Sequence, residues 1–293
     1  MDLIAAEGIE KRFGQLTALR DISLRVRRGE LYGLIGPDGA GKTTFFRILT
    51  TLMLPDGGRA TVDGLDIATD YRRIRAAVGY MPGRFSLYPD LTVKENLEFF
   101  ATLFGTRLED NYDLIRDIYV QIEPFRSRRA GRLSGGMKQK LALCCALIHR
   151  PRVLFLDEPT TGVDVVSRHE FWDMLSGLKR QGITMLVSTP YMDEAVRCDR
   201  IALIQSGRLL SIDTPMGIIE NYPDALFEVR AENMRQLTDE IRKRCSPQSC
   251  FAFGRSLHVS FSRDDAEAPR RMRAALTAAG CTNLEIAPIT PSI

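Results

Sequence analysis

From Leu3 to Asp213, short β-branched or apolar runs are separated by longer amphipathic stretches. That rhythm predicts an α/β domain with helices packed on a largely parallel sheet. The strand candidates are Leu19–Val26, Leu31–Ile35, Val78–Met81, Val153–Leu156, Thr184–Ser188 and Ile201–Gln205. Between Thr92 and Arg150 the period changes: Val93/Leu97/Phe100, Leu114/Ile118/Ile122 and Leu141/Cys145/Ile148 recur at helical spacing. A helical insert over residues 84–150 follows from it.

After Pro215 the composition shifts. Ala225–Ala231 reads as a strand, Met234/Leu237/Ile241 as a helix face, and Cys250–Phe253 and Leu257/Val259/Phe261 as strands around a Gly254-Arg255 turn. Met272/Leu276/Ala279 makes another helix and Leu284/Ile286 a last strand. This βαββαβ order predicts a small split-βαβ module, an accessory α+β domain over 222–293 behind a first domain over 1–221. The closing residues, Pro291-Ser292-Ile293, add no final element, as expected of a trimmed chain or of one half of something longer.

Composition narrows the classes. With 293 residues, 44% hydrophobic and 26% charged, the chain can bury real cores and is not largely disordered. Lys and Arg number 40 against 37 Asp and Glu, a formal charge of +3 without a long single-sign block, so no nucleic-acid partner is expected. No apolar run approaches the roughly 18–20 residues that cross a bilayer, and Met1-Asp2-Leu3-Ile4 opens no signal peptide, so the chain is expected in the cytosol. The six cysteines include the pair Cys144-Cys145 and no C-x-x-C. Cys245 and Cys250 lack a histidine pair to complete a zinc site, and all six read as reduced thiols.

Three segments carry chemistry. Gly36-Pro37-Asp38-Gly39-Ala40-Gly41-Lys42-Thr43-Thr44 fits G-x-x-x-x-G-K-[ST], directly after a strand and opening a helix with Phe45, Ile48, Leu49 and Leu52 on one face. Glycines let backbone N–H groups wrap phosphates, the helix N-terminus adds positive potential, and Lys42 adds a full charge. Thr43 is then placed to hold Mg²⁺. Val153-Leu154-Phe155-Leu156-Asp157-Glu158 is an apolar strand ending in two acids: Asp157 for the Mg²⁺ shell, Glu158 to polarise an attacking water. Leu133-Ser134-Gly135-Gly136-Met137, just ahead of a helix, makes a second anion cradle whose hydroxyl and N–H groups point outward. One nucleotide needs one P-loop, so the second cradle makes sense for a nucleotide held by another subunit.

Together these segments resemble the nucleotide-binding subunit of an ATP-binding cassette (ABC) transporter over roughly residues 2–220. The resemblance implies a P-loop NTPase fold with an antiparallel β subdomain, and ATP and Mg²⁺ as cofactors. It makes Gly36–Thr43 the Walker A motif and Val153–Asp157 the Walker B motif, with Glu158 as catalytic base. It makes Leu133–Met137 the signature and Gly162-Val163-Asp164 the D-loop, and it sets Phe13 against adenine. Implied partners are a membrane permease and a second cassette, as a homodimer, heterodimer or tandem fusion, at the inner face of the membrane. Tyr80-Met81-Pro82, Leu87-Tyr88-Pro89-Asp90-Leu91-Thr92-Val93 and Tyr191-Met192-Asp193-Glu194-Ala195 point to exporters of drugs and other hydrophobic compounds. The phrase Phe85-Ser86-Leu87-Tyr88-Pro89 fits a permease-docking groove. The tail resembles the extension of such exporter ATPases and reads as a support for dimerisation or permease assembly.

The chain departs from that pattern at two places. Gly83 stands where the family's Q-loop has glutamine, and Pro190 where its switch loop has histidine. Proline offers neither a side-chain donor nor an N–H. Asp38 also replaces the usual asparagine. The expectation is a site that binds ATP and hydrolyses it slowly, with Ser134 and Gly136 completing a site on a partner. A non-hydrolysing regulatory cassette and a soluble ABC ATPase of repair or translation are the competing classes. The latter would show a coiled coil or a second cassette.

Overall fold

Apolar runs without polar interruption become fully buried strands in a computed structural model of the chain: Leu31–Ile35, Val153–Asp157 and Thr184–Thr189 are buried at every residue. The structure describes residues 1–84 and 86–290, so Phe85 of the docking phrase and the closing Pro291-Ser292-Ile293 lie outside the described residues. Two units are formed, Met1–Pro215 and Met216–Ile293.

In the first unit, β1 (Asp2–Phe13), β2 (Leu16–Arg27), β3 (Leu31–Ile35) and α1 (Lys42–Leu49) precede β4 (Gly57–Val62), β5 (Leu65–Asp66), α2 (Tyr71–Ala77) and β6 (Val78–Met81). The insert follows as α3 (Val93–Leu103), α4 (Tyr112–Tyr119) and α5 (Gly135–Leu147). Then come β7 (Val153–Asp157), α6 (Val165–Arg180), β8 (Thr184–Thr189), α7 (Met192–Ala195), β9 (Arg200–Gln205) and β10 (Arg208–Asp213). One sheet is antiparallel, in the order β2-β1-β4-β5. The other runs β10-β9-β3-β8-β7-β6 and is parallel except at β10.

That order positions the site. Ile35 pairs with Thr189 and Asp157 with Ser188, so β3, β8 and β7 end side by side. The P-loop, the acidic pair and the switch segment therefore share one crevice at the carboxyl edge of the sheet, where open α/β folds bind ligands.

The strands missing from the sequence reading are β1, β4, β5 and β10. β1 slips register against β2 at several points, which erases a clean period-two pattern. β10 is mostly exposed and carries little apolar signal. Leu52 also departs from expectation: α1 ends at Leu49, Thr51 turns left-handed, and Leu52 is more than half exposed. In the insert, Thr92 and Glu95 form a reciprocal capping box on α3. The fully buried Asn96 ties the preceding turn down, accepting from Tyr88 N and donating to the Leu91 and Thr92 carbonyls.

The second unit opens within α8 (Pro215–Glu220) and continues with β11 (Asp224–Arg230), α9 (Met234–Arg244), β12 (Ser249–Phe253) and β13 (Ser256–Ser262). It closes with α10 (Ala268–Ala278) and β14 (Glu285–Ile289), in an antiparallel sheet ordered β12-β13-β11-β14. Leu237, Ile241, Met272 and Leu276, the predicted helix faces, pack on Val229, Leu257, Val259 and Phe261. All six cysteines are free, and burial pushes the Cys144 and Cys145 thiols well above their ordinary value, away from reactive thiolate.

Candidate functional site

The P-loop is shaped by glycines that nothing larger can replace. A Cβ on Gly36 would stand 2.1 Å from the Ile204 carbonyl oxygen, and one on Gly41, whose φ is +105°, 2.7 Å from that of Ala18. Gly41 is the N-cap of α1 and supplies no side-chain cap, and the first turn holds no acidic residue. Its N–H groups are left to an acceptor from outside the helix, at the positive end of the helix dipole.

Lys42 is 3% exposed, and its Nζ donates to Gly36 O at 2.7 Å and Pro37 O at 2.9 Å. The same Nζ lies 3.0 Å from Glu158 Oε1. Burial raises the Asp157 carboxyl above the ordinary aspartate range, while hydrogen bonds from Ser188 (2.7 Å) and Thr43 pull it back. A buried carboxylate beside a threonine hydroxyl is a hard-oxygen donor set that suits Mg²⁺ completed by phosphate and water oxygens.

Glu158 sits in left-handed backbone at φ +51°, which non-glycine residues rarely adopt without support from their surroundings. Ser188 holds it there: both the Ser188 carbonyl and its Oγ accept from Glu158 N, each at 3.0 Å. The carboxylate thus faces Lys42 through Oε1, and Oε2 accepts from Thr161 at 3.4 Å.

Phe13, Gly39, Gly41, Lys42, Thr43, Thr44 and Glu158 line one cavity of about 430 Å³. Phe13 is 46% exposed, offering a flat apolar platform beside the loop. Pro37 and Asp38 are exposed on the loop, outside the cavity lining, so the Asp38 carboxylate does not enter it. Ala40 is buried beneath the loop. Thr17, Arg20, Ser206 and Gly207 also line the cavity and were missed. They arrive from β2 and the β9–β10 turn, and no local pattern in the sequence marks them.

Ser134, Gly135, Gly136 and Asp164 form a separate cluster that does not line this cavity. The Ser134 hydroxyl oxygen caps α5, accepting from Met137 N at 3.3 Å because the helix start has donors to satisfy, while the residue stays exposed and its O–H is not used by that bond. Gly136 is buried against α6, where a Cβ would stand 2.7 Å from Ser167 Oγ. Asp164 caps α6 by accepting from Ser167 N at 3.0 Å, a bond that holds its carboxyl below the usual range. Asp164→Ala should lower the denaturation midpoint, and Asp164→Ser should lower it much less, in chemical denaturation. Equal losses for both would assign the residue no capping role.

Gly83 rests on the acidic pair: its Cβ would meet the Asp157 carbonyl at 3.0 Å and Glu158 Cβ at 3.7 Å. Pro190 follows the end of β8, where the hydroxyl of Thr189 donates to Glu194 and accepts from Tyr191 N. Glu194, 3% exposed, also accepts from Thr160 Oγ1 at 2.8 Å and Arg168 Nε at 3.0 Å. This buried acid binds the switch segment to α6. Its position in Tyr191-Met192-Asp193-Glu194-Ala195 was legible as a phrase but not as a buried hub.

The ABC transporter family model matches residues 19–161. Over 237 residues the chain is 39% identical to the Nod factor export ATP-binding protein I of Burkholderia lata, covering 80% of this chain and 78% of that protein. It is 41% identical over 215 residues to the probable multidrug ABC transporter ATP-binding protein YbhF of Escherichia coli (strain K12). That match covers 73% of this chain, which spans only 37% of YbhF. A dimeric bacterial ABC transporter cassette, MJ0796, superposes with a TM-score of 0.65 at 25% identity, over 72% of this chain and 98% of that one. The chain belongs to the ATP-binding proteins of ABC transporters. Its αβ cassette architecture is that of the family, with the βαββαβ unit appended.

Proposed function

We propose that the chain binds MgATP in the P-loop crevice and hydrolyses it slowly to drive a separate membrane permease. The observation that carries this reading is the convergence of Lys42 and Thr43, at the start of α1 beyond β3, with Asp157 and Glu158, at the end of β7, on either side of β8. Phosphates are held by the α1 N–H groups and Lys42, and adenine rests on Phe13. Thr43 and Asp157 would hold Mg²⁺, which supplies neutralisation of charge on the transferred phosphoryl group. Glu158 accepts the proton of a water whose oxygen bonds to the γ-phosphorus, and the bond to ADP breaks, releasing ADP and phosphate.

Ser134, Gly135, Gly136 and Asp164 serve the nucleotide of a second cassette; the dimeric assembly of the similar cassette supports this placement. A triphosphate between two cassettes draws them together, and hydrolysis releases them, a shift between populations set by differential affinity. An apolar cavity of about 170 Å³ lined by Leu87, Phe100, Phe104, Ala142 and Cys145 supports permease docking beside the 86–89 segment. Among the described residues no helix is long and apolar enough to cross a membrane; attachment at the inner face is part of the same permease reading. The names of the relatives support export of drugs or other hydrophobic compounds.

Slow turnover is the reading of Gly83 and Pro190, each beside the acidic pair or its strand. Restoring Gly83→Gln and Pro190→His together should raise steady-state hydrolysis by about tenfold or more, since one preorganised donor is worth about 10²–10³. The glutamine must first ease the 3.0 Å contact with the Asp157 carbonyl. An unchanged rate in a stably folded double variant would reject the impaired-site reading. ATP binding without any turnover, even beside the permease, would instead favour the regulatory cassette.

A further inference from the structure

The second unit has two edge strands, and only one is protected. β14 carries Glu285 and Pro288, the residue types that blunt a sheet edge. β12, Ser249-Cys250-Phe251-Ala252-Phe253, carries neither charge nor proline, and its last three residues are all exposed. Phe251 and Phe253 are 68% and 67% exposed, and the Phe253 ring stacks on His258 at 4.6 Å. Large apolar side chains on an unblunted edge are a template for strand addition.

The turn fixes which backbone groups face out. Phe253 pairs with Ser256 across the two-residue Gly254-Arg255 turn, with Gly254 at φ +58°. Residues flanking such a turn exchange hydrogen bonds with each other, so alternate residues, Ala252 and Cys250, direct theirs away from β13. The Cys250 carbonyl bears this out by accepting from Arg242 Nη2 at 3.3 Å rather than pointing into the sheet. Ala252 is then the first outward-directed position beyond that arginine.

We propose that β12 is a self-association edge, joining antiparallel to β12 of a second copy of this chain about a two-fold axis through Ala252. The occupant is a second copy because the strand is self-complementary in this register. Ala252 exchanges its N–H and C=O with its own equivalent, the small side chain allows close approach, and Phe251 of each copy faces Phe253 of the other. Such cross-strand aromatic pairs are the unit of sheet stabilisation. The open face gains two neighbouring cross-strand aromatic pairs, and the pairing extends one antiparallel sheet across two modules. It needs no nucleotide, so it is independent of the reading of the P-loop crevice.

The test is sedimentation velocity of the full chain, freed of nucleotide by apyrase, across a concentration series. A concentration-dependent dimer is expected, in the range up to about 100 µM that a short strand pair supports. Ala252→Pro removes the central donor, and Phe253→Lys puts like charges into the seam without touching the backbone. Each should raise the dimer dissociation constant by about tenfold or more, with circular dichroism unchanged. A chain that stays monomeric throughout, or a dimer indifferent to Phe253→Lys, overturns the proposal. A charge on β14, Ala287→Lys, should leave the dimer intact; its loss there would place the interface on the other edge and overturn it equally.

Discussion

Lys42→Ala will reduce MgATP affinity at least about 100-fold, measured by titration with a fluorescent nucleotide, close to 2.7 kcal/mol. The lysine is the one full positive charge among the P-loop residues, and it is held in place rather than waving from the surface: its side chain is 2% exposed and three oxygens surround its Nζ. A buried, preorganised ammonium gives up little side-chain entropy on meeting a phosphate, and the low local dielectric strengthens the attraction. Truncation leaves the Gly36 and Pro37 carbonyls and the Glu158 carboxylate without their shared donor. That loss should also lower stability by about 1–3 kcal/mol, visible in calorimetry. The binding loss must exceed what the stability loss explains, so the titration is made well below the melting temperature of the variant. Retained affinity in a folded Lys42→Ala chain would mean that the α1 N–H groups alone hold the phosphates, and the charge argument fails.

The comparison of sequence with structure divides along a physical line. Elements whose signal is local were legible. The P-loop announces itself through glycines at fixed offsets between a strand and a helix, and β3, β7 and β8 through unbroken apolar runs. The βαββαβ order of the tail follows from two helix faces and four strand segments. Elements that depend on distant partners were not legible. β1 is stabilised by pairing with β2 and β4 despite its glutamates and lysine, and its bulges hide the alternation. The wall of the cavity contributed by Thr17, Arg20, Ser206 and Gly207 is a consequence of topology. Ser134 could be recognised as a helix-start serine, but that its hydroxyl oxygen accepts from its own helix is seen only in the three-dimensional cap. The hub at Glu194 required knowing that Thr160, Arg168 and Thr189 converge.

Glu158→Gln should lower ATP turnover by about 10²–10⁴-fold, the contribution of a general base, while MgATP affinity changes by less than about threefold. The substitution is nearly isosteric, and glutamine bears the left-handed backbone at this position no worse than glutamate does. Its amide oxygen can still accept from Lys42, so the P-loop keeps its lysine in place, and Ser188 still accepts from the backbone N–H. What is lost is the capacity to take a proton. Removing a negative charge beside Asp157 also relieves repulsion toward the triphosphate, so affinity moves upward if it moves at all. The measurement gains range on the Gly83→Gln/Pro190→His background, where the starting rate is expected to be higher. With MgATP the variant should accumulate as a two-cassette assembly in sedimentation, because release requires hydrolysis. Turnover within about tenfold of the parent would assign the proton to another group. Loss of binding together with turnover would mean that the Glu158 contact with Lys42 serves the architecture of the loop rather than the reaction.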